Sequence, residues 1–375
     1  MLVLQLKKRK LVRKNKFIIS GGGTGGHIYP AISIANMIMK SIPNSEVRFI
    51  GAIGKMEMKI IPKHGFKIKG LWISGLQRSL SFKNILVPFK LIVSLFQSLI
   101  ELLIFKPKFV IGTGGYASFP ILFTSSILRL PTILQEQNSN PGLSNRFLSK
   151  RANLIFVAYD NMERFFPPSK ILNYGNPIRH DILNKKIDRN KSLKYFNLNP
   201  ENKTIGVLGG SLGAKEINDL VLKLLPYFKK QKIQVIWQFG KRYIDKIDFP
   251  KFSLLKTFPF MENMNYLYNA CDLIISRAGA FTISELCYVA KPCVLFPSSN
   301  VTDNHQLRNA IYMERKGAAK VINSNTSIND IKKIINQILN SKIVQSKMII
   351  ALKKNSKSNV AMKIVNKIDK EILNG

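Results

Sequence analysis

The sequence is poor in acidic residues, histidine and cysteine. Its 375 residues include 21 Asp+Glu against 58 Lys+Arg, together with 4 His and 3 Cys. Zinc sites need clustered cysteine and histidine ligands, and the sequence has neither an H-x-x-x-H pair nor a C-x-x-C spacing. It also lacks a D-x-D pair of the kind that holds a metal ion against a nucleotide diphosphate. We therefore predict a protein without a bound metal or other cofactor.

Further absences exclude other common classes. No G-x-x-x-x-G-K-[ST] motif is present, which argues against a P-loop ATPase. Neither half combines a dinucleotide-binding glycine turn with an acidic strand end about 20 residues later, which argues against a dehydrogenase. The N-terminal charges follow a short apolar run and precede no long one, unlike a secretory signal. The cysteines lie in or beside apolar segments, as expected of buried, reduced thiols in a cytosolic protein: Cys271, Cys287 and Cys293.

The formal net charge of +37 raises the question of a nucleic-acid partner. The lysines are spread along the whole chain, however, and no basic stretch is interleaved with aromatic residues on which bases would stack. We therefore predict a solvated, lysine-rich surface and no nucleic-acid binding. Such a surface would also be attracted to anionic lipid headgroups.

Short apolar runs bounded by turns recur in both halves of the chain, with helical patterns between them. They fall at residues 16–20, 47–50, 109–112, 132–134 and 154–157, and then at 204–208, 234–238, 273–276, 293–296 and 320–322. This alternation predicts an α/β protein with parallel sheets covered by helices on both faces. We expect two domains, one of residues 1–178 plus 347–375 and the other of residues 179–346.

Three glycine-rich turns follow predicted strands, at residues 21–26, 112–116 and 209–214. A glycine turn at a helix N-terminus presents unpaired N–H groups and the positive end of the helix dipole, which suits a phosphate. One such turn alone is an ordinary tight connection, but three at strand ends predict ligand binding. The first two should converge at one edge of the first sheet and hold a diphosphate.

Other polar groups also follow predicted strands. Glu285 lies in the first or second turn of a predicted helix, where its carboxylate either accepts hydrogen bonds from a ribose diol or faces the helix dipole. Residues 135–138 place a Gln-Glu-Gln-Asn cluster at a strand end, Arg179 stands at the predicted domain join, and Gln306 offers an amide to sugar hydroxyls. Each of these is a loop or cap motif by default.

Residues 85–105 form a strongly apolar segment of nearly membrane-spanning length. Its polar residues recur at helical spacing and form one stripe, made of Lys90, Ser94, Gln97, Ser98 and Glu101. We therefore predict an amphipathic helix that covers the sheet with an unusually wide apolar face, most of it packed there and not in contact with a membrane. Just before it, residues 71–73 and 76–83 mix apolar groups with Arg and Lys, as expected of a surface that rests on anionic lipid.

These motifs resemble, in the same order, those of the MurG family of N-acetylglucosaminyltransferases. They are G-G-T-G-G-H-I-Y-P-A at residues 22–31, G-T-G-G-Y-A-S at 112–118, Q-E-Q-N at 135–138, N-P-I-R at 176–179, G-G-S-L-G-A at 209–214, S-R-A-G-A at 276–280 with S-E at 284–285, and residues 303–310. The resemblance runs from about residue 16 to the last helices and implies a GT-B fold, in which two Rossmann-like domains face across a cleft. The basic extension before residue 16 is longer than the family needs.

The implied reaction is inverting transfer of N-acetylglucosamine from UDP-N-acetylglucosamine to the 4-hydroxyl of N-acetylmuramic acid in undecaprenyl-diphospho-muramoyl-pentapeptide (lipid I), giving lipid II for peptidoglycan. The implied partners are these two substrates, an anionic membrane surface and other cell-wall synthesis proteins. The implied location is the cytoplasmic face of the inner membrane, as a peripheral protein. The alternatives are another enzyme of the same fold, such as a UDP-N-acetylglucosamine 2-epimerase or a transferase to another acceptor, and a basic nucleic-acid-binding protein.

The resemblance also implies roles for individual residues. In the second domain, the donor would be bound by Ser211 at the diphosphate, Met261 near the uracil through its backbone, Glu285 at the ribose, Gln306 at the hexosamine, and Ala280, Phe281, Thr282, Ile283 and Ser284 near the diphosphate and sugar. Thr24, Gly25, Gly26, Asn138 and Arg179 would close the donor site from the other side. The acceptor diphosphate would meet Gly22, Gly23, Gly114, Gly115 and Tyr116.

The implied displacement of UDP needs a base for the acceptor hydroxyl and positive potential for the departing diphosphate. His27 and Glu136 are both candidates for the base. His27 is equally suited to binding a phosphate, and Glu136 is equally suited to orienting its polar neighbours. The residues alone do not rank them.

Overall fold

The computed structural model describes residues 14–75, 85–184, 187–210, 212–250, 252–298 and 304–373. The strands are β1 (Asn15–Ser20), β2 (Ser45–Ala52), β3 (Lys67–Leu71), β4 (Phe109–Gly112), β5 (Thr132–Glu136), β6 (Leu154–Val157), β7 (Ile171–Asn173), β8 (Thr204–Leu208), β9 (Gln234–Gln238), β10 (Leu255–Phe258), β11 (Leu273–Ser276), β12 (Cys293–Leu295) and β13 (Lys320–Val321). The helices are α1 (Gly25–Ser41), α2 (Glu57–Lys63), α3 (Leu86–Phe105), α4 (Phe119–Ile127), α5 (Leu143–Ser149), α6 (His180–Asn184), α7 (Arg189–Tyr195), α8 (Lys215–Lys230), α9 (Met264–Ala270), α10 (Ala280–Val289), α11 (His305–Arg315), α12 (Ile328–Asn340), α13 (Lys342–Lys354) and α14 (Val360–Ile368).

The strands form two parallel sheets, as the alternating pattern predicts. The first has the order β3-β2-β1-β4-β5-β6-β7 and the second has the order β10-β9-β8-β11-β12-β13. The strand order reverses between β1 and β4 in the first sheet and between β8 and β11 in the second, and ligands of open parallel sheets bind beyond the carboxyl ends of strands at such points. The three glycine-rich turns follow β1, β4 and β8. The fold thus places the first two turns at the reversal point of the first sheet and the third turn at that of the second sheet.

The predicted apolar runs are all strands, with ends that differ by two residues at most. The structure adds three strands that the sequence pattern did not indicate, namely β3, β7 and β10, and each lies at an edge of its sheet. An edge strand is covered on fewer sides, so it does not need a continuous apolar run. In β3, for example, Lys67 and Lys69 alternate with Ile68.

Buried side chains cover both faces of the first sheet. Phe17 and Ile19 of β1 point into a core that includes α1, whereas Ile18 points into a second core with Leu102 of α3. The second domain has one contiguous core, built around fully buried residues such as Trp237. The two sheets are therefore rigid platforms for the loops at their carboxyl ends.

The C-terminal helices divide between the two domains. Met348 and Leu352 of α13 belong to the core of the second domain. Val360 and Ile364 of α14 belong to a core of the first domain, and α14 packs against α1. We propose that the chain returns to the first domain between α13 and α14 and not at residue 347, while the other domain bounds stay predictions.

Helix α3 has the opposite orientation to the one predicted. Its buried residues are Ser94, Ser98, Glu101, Leu102 and Phe105, so most of the polar stripe faces the protein. The apolar side is turned outward, with exposed fractions of 50–65% at Leu86, Phe89, Ile92, Phe96, Ile100, Leu103 and Ile104. The expectation that most of this helix packs by its apolar face was therefore wrong. Among the residues described, α3 is the helix long and apolar enough to cross a membrane.

Two basic residues explain why the polar stripe of α3 is buried. Glu101 is 1% exposed and forms ion pairs with Arg48 of β2 and with Lys69 of β3, whose Nζ lies 2.8 Å from its Oε2. Gln97 accepts a hydrogen bond from the N–H of Trp72 just after β3, at 2.9 Å. A buried carboxylate is tolerated only when it is paired, so these contacts fix which face of the helix points inward.

Replacing Glu101 tests this orientation. Removing one member of a fully buried ion pair costs about 3–5 kcal/mol, and we expect Glu101→Ala to lower the free energy of unfolding by about 2 kcal/mol because Arg48 and Lys69 are partly exposed. The neighbouring control Ile100→Ala, on the outward face, should change it by less than about 0.5 kcal/mol. Urea unfolding followed by circular dichroism measures both. A larger loss for Ile100→Ala than for Glu101→Ala would contradict the orientation.

Candidate active site

The first two glycine turns meet at the reversal point of the first sheet, as predicted. The N–H of Gly22 donates to the carbonyl of Gly114 at 3.4 Å. Gly114 and Gly115 have φ of +98° and +82°, and a Cβ at Gly115 would lie 2.5 Å from the carbonyl oxygen of Gly22. Glycine is therefore required for the close approach of the two turns.

The N–H groups of the first turn are partly used within the protein. The N–H of Gly22 is bonded to Gly114, and that of Gly23 donates to the carboxylate of Glu57 at 2.9 Å. The turn continues into the first residues of α1, Gly25 and Gly26. Their N–H groups have no acceptor within the helix, because no helical residue lies four positions before them. A ligand at this turn would therefore meet the N-terminus of α1, and not the N–H groups of Gly22 and Gly23 as expected.

His27 lies half-buried at this N-terminus, next to the second glycine turn. Its Nδ1 is 2.9 Å from the carbonyl oxygen of Gly22 and 3.3 Å from Oγ1 of Thr24. A carbonyl only accepts hydrogen bonds, so Nδ1 carries the proton and Nε2 of the neutral ring carries a lone pair. Burial lowers the pKa of His27, which favours this neutral form.

Glu136 is the last residue of β5, and its carboxylate is held by the following loop and by α5. Its Oε1 accepts from the N–H of Asn138 at 2.9 Å, and its Oε2 accepts from Nδ2 of Asn145 at 2.8 Å. Burial raises the pKa of Glu136, and these donors oppose that effect. Both oxygens thus have partners inside the protein, whereas Nε2 of His27 lies against Gly114, 3.2 Å from where a Cβ of that residue would stand.

Polar contacts join the two domains beside these turns. Asn176 is 3% exposed, and its Nδ2 donates to Oγ of Ser284 at 3.0 Å. Oγ of Ser139 donates to Oδ1 of Asn309 at 2.8 Å. The segment before the domain join and the start of α10 are therefore in direct contact, which brings the predicted site residues of both halves together.

Arg179 and Glu285 form a buried ion pair at the domain join. Nε of Arg179 lies 2.9 Å from Oε1 of Glu285, without the alignment of a hydrogen bond, and the hydroxyl of Tyr268 donates to Oε2 at 2.8 Å. The guanidinium also stacks on the ring of Tyr29, 4.0 Å from its centroid. Burial raises the pKa of Glu285, while Arg179 and Tyr268 lower it.

Glu285 stands in the second turn of α10, beyond the reach of the helix N-terminus. Its environment is set by Arg179 and Tyr268, and not by the helix dipole. The side chains of the other predicted α10 residues lie in different parts of the protein. Ala280 and Phe281 bury their side chains in cores of the first domain, Ile283 in that of the second, and Ser284 contacts Asn176. The helix N-terminus, with Thr282 in its first turn, thus presents mainly backbone N–H groups to the cleft.

The third glycine turn follows β8 and leads into α8. Gly210 and Gly213 have φ of +84° and +86°, which glycine adopts without strain. Gln238 at the end of β9 joins this turn to Met261, because its Nε2 donates to the carbonyl of Gly210 at 3.0 Å and its Oε1 accepts from the N–H of Met261 at 2.8 Å. Only the carbonyl of Met261 is then left for a ligand. Ser211 lies outside the residues that the structure describes.

Gln306 lies in the first turn of α11, where its Oε1 accepts from the N–H of Ser298 at 3.0 Å. The neighbouring residue His305 lowers the pKa of His27 electrostatically.

Within the described ranges, no group of three or more His, Cys, Asp or Glu side chains is arranged to hold a metal ion. The residues to which the sequence pattern assigned no role are Glu57, Tyr268, Gln238 and Asn309. Two of them carried a signal, since Gln238 ends a predicted strand and Asn309 lies in the motif at residues 303–310.

Family models match both halves of the chain. The N-terminal domain of glycosyltransferase family 28 matches residues 17–157, and its C-terminal domain matches residues 204–365. The chain belongs to glycosyltransferase family 28. It is therefore a glycosyltransferase, and the match of two consecutive family domains agrees with the two sheets of the structure.

Named relatives agree with this family. A protein of Flavobacterium psychrophilum named UDP-N-acetylglucosamine–N-acetylmuramyl-(pentapeptide) pyrophosphoryl-undecaprenol N-acetylglucosamine transferase is 44% identical over 358 residues, which cover 95% of this chain and 97% of the relative. A protein of Cytophaga hutchinsonii with the same name is 47% identical over 82% of this chain and 83% of its own length. The resemblance to the MurG family is confirmed.

Solved structures agree with the fold of this family-28 chain. MurG of Acinetobacter baumannii has a TM-score of 0.71 at 24% identity, covering 96% of this chain and all of that one. The UDP-N-acetylglucosamine 2-epimerase of Neisseria meningitidis has a TM-score of 0.67 at 16% identity, covering 95% of this chain and 100% of that one. At these identities the likeness shows the fold alone, and the expected GT-B fold is confirmed.

Proposed function

We propose that this chain transfers N-acetylglucosamine from UDP-N-acetylglucosamine, with inversion, to the 4-hydroxyl of N-acetylmuramic acid in lipid I, giving lipid II. The observation that carries the proposal is that each domain has a phosphate-suited glycine turn at a strand end, with His27 beside the turn of the first domain. The names of relatives that are 44% identical over 95% of this chain support the same substrates.

The second domain would hold the donor. Its diphosphate would lie against the third glycine turn, with Ser211, and the N-terminus of α10, where N–H groups and the helix dipole favour negative charge. The carbonyl of Met261 would face the uracil, and Gln306 would face the hexosamine. The ribose hydroxyls would bind Glu285.

Binding of the ribose to Glu285 would require Arg179 to release it. Both charges are buried, so neither can lose its partner without a replacement. The ribose diol would replace Arg179 at Oε1 of Glu285. The guanidinium of Arg179 would turn to the diphosphate of the donor, whose negative charge would be its new partner. Tyr268 would keep Oε2 in place throughout the exchange.

The first domain would hold the acceptor and supply the base. We assign the base to His27 because Glu136 has both oxygens engaged by its own loop. The proton of the acceptor 4-hydroxyl would pass to Nε2 as the oxygen bonds to the anomeric carbon. The bond from that carbon to the diphosphate would break, and its electron pair would leave with UDP. Arg179 and the N-termini of α1 and α10 would stabilise the departing charge.

The outward apolar face of α3 would rest on the cytoplasmic face of the inner membrane. The same domain has a second exposed apolar group, Leu143 and Phe147 of α5, beside the cations of Arg146, Lys150 and Arg151. Apolar side chains rimmed by Arg and Lys are typical of surfaces that bind anionic lipid. Of the segments predicted to take part, residues 76–83 lie outside the described residues. In residues 71–73 only Trp72 is exposed, by 39%, and the prediction was wrong for Leu71 and Ile73, which are buried in a core of the first domain.

The decisive test is transfer of labelled N-acetylglucosamine from UDP-N-acetylglucosamine to a short-chain lipid I analogue. We expect a disaccharide-linked product and release of one UDP for each transfer. The same reaction without acceptor should yield no 2-epimer of the donor. Folded protein that forms the epimer, or that transfers nothing, would rule out the proposed reaction.

Replacing Glu285 by glutamine should weaken donor binding selectively. A hydrogen bond to a charged group contributes about 1.5–3 kcal/mol, so we expect the Kd for UDP-N-acetylglucosamine to rise about 10- to 100-fold. Affinity for the lipid I analogue should stay unchanged. Glu262→Gln, an identical charge change at an exposed position of the same domain, is the control for calorimetric titration. An equal loss of acceptor binding would contradict the ribose role.

Membrane binding should depend on the outward face of α3. The double variant Phe96→Ser/Ile100→Ser removes two exposed apolar groups, and we expect at least about a tenfold loss of affinity for vesicles containing phosphatidylglycerol. The control Ile343→Ser/Ile350→Ser removes two equally exposed groups from α13 of the second domain and should bind normally. Flotation measures both variants. Equal binding of the two would argue against this surface.

A further inference from the structure

One peptide group lies between His27 and a buried carboxylate. The carbonyl oxygen of Gly22 accepts the hydrogen bond from Nδ1 of His27 at 2.9 Å. The N–H of Gly23, which belongs to the same peptide group, donates to Oε2 of Glu57 at 2.9 Å. The imidazole, the peptide group and the carboxylate therefore form one continuous hydrogen-bonded chain.

Glu57 is fixed in this position by its surroundings. It begins α2 and is completely buried, and its second oxygen, Oε1, accepts from the N–H of Ala52 at 3.0 Å. Two glycines make room for it. A Cβ at Gly22 would lie 2.2 Å from Oε1, and a Cβ at Gly51 would lie 2.6 Å from Cγ of Glu57. A residue other than glycine at either position would displace the carboxylate.

A carboxylate strengthens the hydrogen bond on the far side of the peptide group. Hydrogen bonds to charged acceptors are stronger than neutral ones, and bonds in a chain polarise one another in a low-dielectric interior. The pull of Glu57 on the N–H of Gly23 makes the carbonyl of Gly22 a better acceptor for Nδ1–H. The arrangement resembles the contact between aspartate and histidine in a Ser-His-Asp triad, except that one peptide group lies between the carboxylate and the imidazole.

We propose that Glu57 is a positioning residue for His27, acting through the peptide group between Gly22 and Gly23. It holds Nδ1 in the protonated tautomer, leaves the lone pair of Nε2 toward the acceptor hydroxyl, and stabilises the imidazolium that forms when Nε2 takes the proton. The inference rests on the proposed role of His27 as base. Glu57 itself touches neither substrate.

The charged and titratable groups that act on His27 come from two other elements. Burial has the largest effect and lowers the pKa of His27, the hydrogen bond to Gly22 raises it, His305 of α11 lowers it, and Glu57 of α2 raises it. Tyr116 of the second glycine turn also senses Glu57, although burial is the main reason that its pKa is raised to about 12. Loss of the charge on Glu57 should therefore move the pKa of His27 downward.

The test combines ¹⁵N NMR of the histidines with kinetics in the Glu57→Gln variant. The chain has only 4 histidines, so a His27→Asn spectrum assigns the signal. We expect His27 of Glu57→Gln to titrate at lower pH and to lose part of its Nδ1–H tautomer. The acid limb of the kcat profile should move to lower pH as well, and kcat should fall about 10- to 100-fold, the range for partners that orient a functional histidine.

Two further variants separate positioning from simple structural support. Glu46→Gln makes the same charge change at a surface ion pair of the same domain and should leave the titration of His27 and kcat unchanged. Glu57→Asp keeps the charge and should restore the titration of His27 toward that of the original protein, so it provides the reading if Glu57→Gln does not fold. An unaltered titration and tautomer of His27 in folded Glu57→Gln would overturn the proposal, and so would a displaced titration of His27 in Glu57→Asp, where the charge is kept.

The outcomes also distinguish this inference from the proposed reaction. If His27 responds to Glu57 in the NMR titration while His27→Asn keeps full kcat, the coupling stands and the assignment of the base is wrong. If His27→Asn abolishes turnover while Glu57→Gln changes only KM, the base stands and the positioning role of Glu57 is wrong.

Discussion

The buried ion pair between Arg179 and Glu285 is the contact on which the rest of the site depends. It lies where the first domain gives way to the second, and it is enclosed by Tyr29 of α1 and Tyr268 of α9. Neither charge is stable in the interior without the other, so the domain join cannot rearrange freely. A ligand that offers hydroxyls to the carboxylate and phosphate to the guanidinium satisfies both charges at once. In the proposed reaction, occupation of the donor site would thereby be linked to the arrangement of the two domains.

Among the described residues, four of the few acidic side chains of this basic chain are buried. Glu57, Glu101, Glu136 and Glu285 are each exposed by 2% or less, and each is held by backbone N–H groups, amides, hydroxyls or cations. Two of the four, Glu57 and Glu136, stand against a glycine turn or at the carboxyl end of a strand. Lysine is abundant on the surface, where its position matters little, whereas each buried carboxylate fixes a particular loop or helix.

Helix α3 shows how the same principle shapes the outside of the molecule. Its inward stripe is held by Glu101, which draws Arg48 and Lys69 to it, and its apolar side is left uncovered. The proposed acceptor carries an undecaprenyl chain, which lies in the membrane. An uncovered apolar face on the acceptor domain would hold the protein at that membrane. The free energy that apolar burial would supply inside the fold remains available for contact with lipid.

The sequence by itself determined the strands of both sheet interiors, the places of the glycine turns and the family, because these depend on local patterns of apolar residues and glycine. It determined that α3 has a polar stripe, but periodicity does not say whether a stripe points inward, and that was decided by Arg48 and Lys69, far away in the chain. The edge strands β3, β7 and β10 escaped prediction because an edge strand needs no continuous apolar run. Only the tertiary structure separated His27 from Glu136 as the proposed base, and only it revealed Glu57 and Tyr268. Their importance comes from hydrogen bonds between residues distant in sequence, which no local pattern encodes.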